Sequence, residues 1–393
     1  MRYDFDKIVE RKGTGAIKWD ILDEVFGKSD LLPMWVADME FETPPFIVDA
    51  LKERISHPVF GYTKVPDGYW ERVSSWIGSH HGWTPKTEWM TFIPGIVKGI
   101  GMVVNALLTK GDKVVIQSPV YHPFHIVPEG NGLEVVRNPL HENEDGSYSM
   151  DFDNLEEILK DPSCKLFILS NPHNPAGIVW DKKTLSRLAD ICYAHNVIVI
   201  SDEIHCDMAL FGHKHIPFAS VSEKAASISI TFGAPSKTFN IAGIVSSYAI
   251  VPDDDLRGKF YGWIEGNEFN LMPIFAGIAT MAAFTPEGEE WRKEMISYVE
   301  GNALAVEEFC KENIPAIKPL RPQASFLVWL DCRGLGLSHK ALIDLFVNKA
   351  GLGLNDGAIF GEEGVGFMRL NIGSPRSMVL EGLNKLKKAI SSL

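Results

Sequence analysis

The sequence predicts an α/β protein: a mostly parallel sheet flanked by helices, followed by a smaller α+β part. Three observations lead there. The 393 residues exceed what one hydrophobic core usually organises, which points to two domains. Between about residues 45 and 290, short β-branched runs alternate with helix-length segments, the pattern of strands joined by helical crossovers. The polar residues of chemical interest follow those runs, where the strands of an open sheet present ligands at their carboxyl ends.

Bulk properties narrow the function. Hydrophobic residues at 45% and charged residues at 23% are ordinary for a folded globular chain. The 51 acidic against 38 basic residues repel phosphate backbones and anionic lipid, so nucleic acid and membrane surfaces are not expected as partners and small molecules are. No apolar run approaches the ~20 residues needed to span a bilayer, and the charged start MRYDFDKIVERKG lacks a signal-peptide core, so a cytoplasmic location is expected. The five cysteines are scattered without metal-site or redox spacing, which predicts buried free thiols and no metal.

The elements follow in order. Residues 1–44, rich in aromatic, charged and proline residues, are expected to pack on the small domain. WMTFIPGIVKGIGMVVNALL (89–108) reads as strand, glycine turn and helix, so the amides of Gly95, Ile96 and Val97 lie at a helix N-terminus suited to phosphate. The strand VVIQ (114–117) leads into SPVYHPF (118–124), where Tyr121 can lay its ring on a flat heteroaromatic. KLFILS (165–170) leads into SNPHNPAG (170–177), whose Asn-Pro turns fix a loop presenting the Asn174 amide. VIVIS (197–201) ends on Asp202, a carboxylate costly to bury without a cation; a protonated pyridine nitrogen is one such partner. SISITF (227–232) runs into TFGAPSKTFNIAG (231–243), where Lys237 follows a small-residue turn and can form a Schiff base with an aldehyde cofactor. A helix with a Thr-Pro start (285–313) and the strands SFLVWLD (325–331) and GFMRLNI (366–372) make the small part. The expected division is 45–288 for the large domain, and 1–44 with 289–393 for the small one.

Each of these residues alone also reads as something plain: a surface lysine, a helix cap, a turn, a core tyrosine. Their order and spacing decide otherwise. Asn174 and Asp202 are 28 residues apart, and Asp202 and Lys237 are 35 apart, each interval fitting one helix and one strand. In this constellation the chain resembles the fold-type I pyridoxal 5'-phosphate (PLP) enzymes, the aspartate aminotransferase superfamily of class I/II, over essentially its whole length. The resemblance implies a seven-stranded sheet in the large domain. It also implies that Asn174 meets the phenolic oxygen of PLP, Asp202 the ring nitrogen and Lys237 the aldehyde carbon. FMRLNIGSPR (367–376) is similar to the strand whose arginine takes the substrate α-carboxylate, which places Arg369 there, with Asn174 and Tyr121 beside the substrate. FGYTKVPDG (60–68) resembles the segment whose tyrosine, here Tyr62, reaches the neighbouring subunit's phosphate, so a homodimer with shared sites is implied.

Two positions depart from the aminotransferase pattern. His205 stands where tyrosine is typical, either bonding the cofactor in its place or serving structure, and residues 238–243 offer no arginine for the phosphate. Phosphate binding then leans on Ser236, the helix amides and Thr238. LPMWVADMEF (32–41), DEIHCDM and PSKTFNIAG together are similar to the carbon–sulfur lyase branch, the cystathionine β-lyases of the aminotransferase class. That similarity implies that backbone around Val36 and Ala37 helps hold the substrate carboxylate, with Trp35 and Met39 packing. The implied reaction is β-elimination on a sulfur amino acid, giving thiol, pyruvate and ammonia. An aminotransferase would use the same residues, and a PLP-binding regulator that docks to another protein is the reading from a different class.

Overall fold

The computed structural model describes residues 2–393. A seven-stranded sheet runs, edge to edge, through Met90–Ile93, Ser247–Ile250, Ser229–Gly233, Ile198–Asp202, Cys164–Ser170, Lys113–Ile116 and Glu134–Arg137. Only Ser247–Ile250 is antiparallel to its neighbours. Alternate residues of the central strands enter different cores. Leu166 and Ile168 pack with Val114, Ile200 and Phe260 on one face, while Phe167 and Leu169 pack with Val115, Leu188 and Val199 on the other. Burial on both faces explains why these strands read as continuous apolar runs. Their ladders align the carboxyl ends: Ser170 pairs with Asp202, and Asp202 with Phe232, so the loops after three strands open at one place.

The smaller sheet has the order Lys318–Leu320, Leu327–Asp331, Phe367–Asn371, Asn355–Asp356. The helix Pro286–Asn313 leads to it, and its start is capped by Thr285, whose Oγ1 accepts from the Gly288 N–H at 3.1 Å. In the N-terminal segment, Leu32–Pro33 pairs in parallel with Leu352–Gly353 and Phe5 lies edge-on to Trp291 at 5.6 Å. Two strands of the seven-stranded sheet show no long apolar run in the sequence. Glu134–Arg137 is an edge strand with exposed charged ends, and Ser247–Ile250 is a four-residue strand introduced by serines, so neither shows the long apolar signal. All five cysteines are free, but Cys206 is only partly buried, against the expectation for that one thiol.

Candidate active site

The strand ends enclose a cavity of about 280 Å³. Gly95, Ile96, Val97, Tyr121, Asn174, Asp202, His205, Ser236, Lys237 and Ala37 all line it. Gly95 has φ +113, and a Cβ built there meets no atom within 4 Å, so its backbone is open to the cavity as a close approach by a ligand requires. The helix Ile96–Leu107 begins at that point.

Asp202 sits at the end of its strand with 6% of its surface exposed. Its Oδ1 accepts from the Ile204 N–H at 3.1 Å. Burial pushes its carboxyl up to about 7, against the pull of the Ile204 N–H and the Lys237 ammonium, with Glu203 adding to the rise. Lys237 is partly exposed to the cavity and donates from Nζ to the Ala37 carbonyl at 2.6 Å. Loss of solvent brings its amine down to about 8, with Arg369 and Lys18 acting the same way and Asp38 and Asp202 opposing. His205 is buried against Phe326, and burial together with the nearby Lys237 and Arg369 lowers it to about 3, so its ring is neutral. Its Nδ1 has no partner.

Arg369 does not line the cavity wall but stands directly behind it. Its Nη1 donates to Asn174 Oδ1 at 3.0 Å, and Nη2 to the Trp35 carbonyl at 3.1 Å and Asn355 Oδ1 at 2.5 Å. The guanidinium lies 4.8 Å from the centre of the Phe360 ring, and its Nε is unpartnered. All of those partners are neutral. Burial accordingly draws Arg369 down to about 10. A buried guanidinium held only by amide and carbonyl oxygens has the chemistry to accept a carboxylate.

Two expected residues lie elsewhere. Tyr62 is fully exposed and does not reach the cavity of its own chain. Thr238 is completely buried, its hydroxyl unpartnered, and it does not line the cavity; the turn after Lys237 directs it into the protein, so its expected part in phosphate binding is withdrawn.

A family model described as aminotransferase class I and II matches residues 29–386. The chain belongs to that family. Within the class I and II aminotransferases it is 45% identical to cystathionine β-lyase PatB of Bacillus subtilis, over 99% of this chain and 100% of that one. Among solved structures, a PLP-bound putative aminotransferase from Clostridium difficile 630 superposes with a TM-score of 0.96 at 42% identity, covering 99% of this chain and all of that one. The PLP-bound C–S lyase from Staphylococcus hominis superposes with a TM-score of 0.90 at 34% identity, covering 99% of each.

This aminotransferase-family site contains residues that sequence reasoning passed over. The segment carrying Ala37 is fastened on both sides by asparagines. Asn371 Nδ2 donates to the Val36 and Asp38 carbonyls at 2.6 and 2.7 Å. Asn240 Nδ2 donates to the Met39 and Phe41 carbonyls at 2.9 and 2.7 Å, and its Oδ1 accepts from the Met39 N–H at 2.9 Å. Both lie within motifs already singled out, FMRLN and SKTFN, at sites where a polar side chain interrupts apolar residues. Below the segment, the fully buried Lys18 pairs with Glu40 at 2.8 Å, as does Arg11. Trp35 and Met39 pack as expected, Trp35 edge-on to Phe26 at 5.4 Å and Met39 in the main core. A larger cleft of about 720 Å³ is lined by Met39 but by none of the residues expected to bind cofactor or substrate.

Proposed function

We propose that this chain is a PLP-dependent carbon–sulfur lyase that cleaves cystathionine and related sulfur amino acids by β-elimination. The observation that carries the reading is full-length identity of 45% to a cystathionine β-lyase, joined to a cavity whose groups fit PLP. The fit is electrostatic. A buried carboxyl with no cation but a lysine beside it, a strand-end lysine with a lowered pKa, and an open glycine backbone at a helix start match the ring nitrogen, the aldehyde and the phosphate.

When bound, PLP supplies an electron sink for negative charge developing at the substrate's α carbon. Asp202 holds a proton at the ring nitrogen and thereby keeps that sink strong. Asn174 offers its amide to the phenolic oxygen, and Tyr121 covers a face of the ring. Arg369, helped by Asn174 and the backbone at Ala37, binds and orients the α-carboxylate. Lys237, with an amine near 8, has a neutral fraction at neutral pH that can take the α-proton and deliver a proton to the departing sulfur. The carbon–sulfur bond breaks as that charge moves, and one water completes release of pyruvate and ammonia.

The quaternary reading is a homodimer. Tyr62 lies in a segment without helix or strand, near exposed Val59 and Phe60, and Phe60 meets Phe275 at 6.1 Å between ring centroids. Leu271 is exposed as well. A second copy covering these apolar residues would bring Tyr62 to its partner's phosphate. The domain division at 45–288 remains part of this reading, supported by the pairing of Leu32–Pro33 with Leu352–Gly353. A cytoplasmic location is supported by five unpaired cysteines. No helix among the described residues is long and apolar enough to cross a membrane.

The deciding experiment supplies cystathionine with and without a 2-oxo acid acceptor. Equal pyruvate and thiol without acceptor is the expected result. Strict dependence on the acceptor, with amino-group transfer and no thiol, would replace the lyase by an aminotransferase.

A further inference from the structure

The charged residues on the cavity wall are three: Lys98, Asp202 and Lys237. In the reading above, Asp202 is committed to the ring nitrogen and Lys237 to the aldehyde carbon. A phosphate monoester brings roughly −1.5 to −2 charges at neutral pH. Lys98 is the remaining cation on that wall.

Its position agrees with the task. Lys98 is the third residue of the helix Ile96–Leu107, within the first turn that begins at the open Gly95. Ile93 pairs with Ser247 across the antiparallel edge of the sheet, which sets residues 94–98 beside 244–246. Ser246 lines the same cavity, is 1% exposed, and its hydroxyl has no partner. Ser236, 8% exposed, is on the wall too. Helix-start amides, two hydroxyls and one lysine therefore share the wall of one cavity. A cation in the first turn of a helix opposes the helix dipole and costs stability unless an anion is held there. The side chain is exposed, and a flexible lysine serves a phosphate as a point charge. Residues 238–243 supply no arginine to do this instead.

Resting on the PLP reading, we infer that Lys98 is the cation that holds the cofactor's phosphate in this chain. The test measures equilibrium binding of PLP and of pyridoxal, which lacks the phosphate, to the apoprotein. Wild type, Lys98→Gln and Lys98→Arg are compared at two salt concentrations. Lys98→Gln is expected to weaken PLP about tenfold, the scale of one charge-assisted contact. It should leave pyridoxal unchanged and flatten the salt dependence of PLP binding, and Lys98→Arg should restore most of the affinity. An unchanged ratio of PLP to pyridoxal affinity in Lys98→Gln, with wild type binding PLP normally, overturns the inference alone. A wild type that binds neither compound and yields no borohydride-fixed adduct at Lys237 overturns the PLP reading, and this inference with it.

Discussion

Replacing Asp202 by Asn should make the apoprotein more stable while damaging the enzyme. The carboxyl is buried and its pKa is pushed up to about 7, whereas an unfolded aspartate titrates near ~3.9. Below about pH 4 both states hold the proton and the residue costs nothing. As pH rises towards 7, the unfolded chain gives up that proton and the folded chain keeps it, so stability falls. The loss is about 1.4 kcal/mol per pH unit over about three units, roughly 4 kcal/mol, complete once pH passes the folded value. Asparagine has the same shape, still accepts from the Ile204 N–H, and carries no such penalty. Apo Asp202→Asn is therefore expected to match wild type near pH 4 and to exceed it by up to roughly 4 kcal/mol at pH 8. Urea midpoints of both apoproteins at fixed protein concentration, from about pH 4 to 8, measure it. A variant no more stable than wild type at pH 8, or a difference that does not grow with pH, refutes the argument. In the loaded enzyme the order should reverse in function, because a neutral amide cannot hold the ring nitrogen protonated, and turnover should collapse.

Three further outcomes follow from the geometry. Arg369→Ala should raise KM strongly and lower kcat/KM by about 100-fold or more, because it removes a buried bidentate partner, and lysine should rescue only part; a normal KM would hand the carboxylate to another residue. Borohydride should fix the cofactor on Lys237, and a stable adduct elsewhere in Lys237→Ala would sink the central assignment. Asn240→Ala deletes three hydrogen bonds to residues 39–41 and leaves an alanine at φ 53, so a loss of about 2 kcal/mol is expected, read as a lower thermal midpoint. An unchanged midpoint would show that Asn371 and Lys18 hold the segment without it.

The legible parts of the fold were those where burial on two faces forces continuous apolar runs: Cys164–Ser170, Ile198–Asp202 and Ser229–Gly233. The site was legible for a related reason. Asn174, Asp202 and Lys237 each follow an apolar strand by a few residues at most, and their common order and spacing marked them where polarity alone did not. Lys98 and Ser246 gave no such signal, because one looks like an ordinary exposed helix lysine and the other like a loop serine. Asn355 was invisible for another reason: its bond to Arg369 joins neighbouring strands of the small sheet, a pairing that the sequence does not state. Tyr62 was singled out only through resemblance, and its full exposure gives it no task within its own chain.

The signs of the pKa shifts form one pattern. Asp202 is raised, and Lys237, Arg369 and His205 are lowered, in every case chiefly by burial, so each group is pushed towards its neutral form. A structural ion-pair network behaves in the opposite way, and this chain contains one close by: Asp38, held by Lys18 and Arg11, stays below its ordinary range although burial opposes it. The contrast separates charges that satisfy each other from charges waiting for something. Three of the waiting groups call for complementary partners of different kinds: a cation for Asp202, a carbonyl carbon for the neutral amine of Lys237, and a carboxylate for Arg369. PLP would bring the first two, a protonated ring nitrogen and an aldehyde carbon, and an amino-acid substrate would bring the carboxylate. Burial expected to destabilise the empty protein is thus the same burial that would make those partners bind, and the cost predicted for Asp202 would be returned when the site fills.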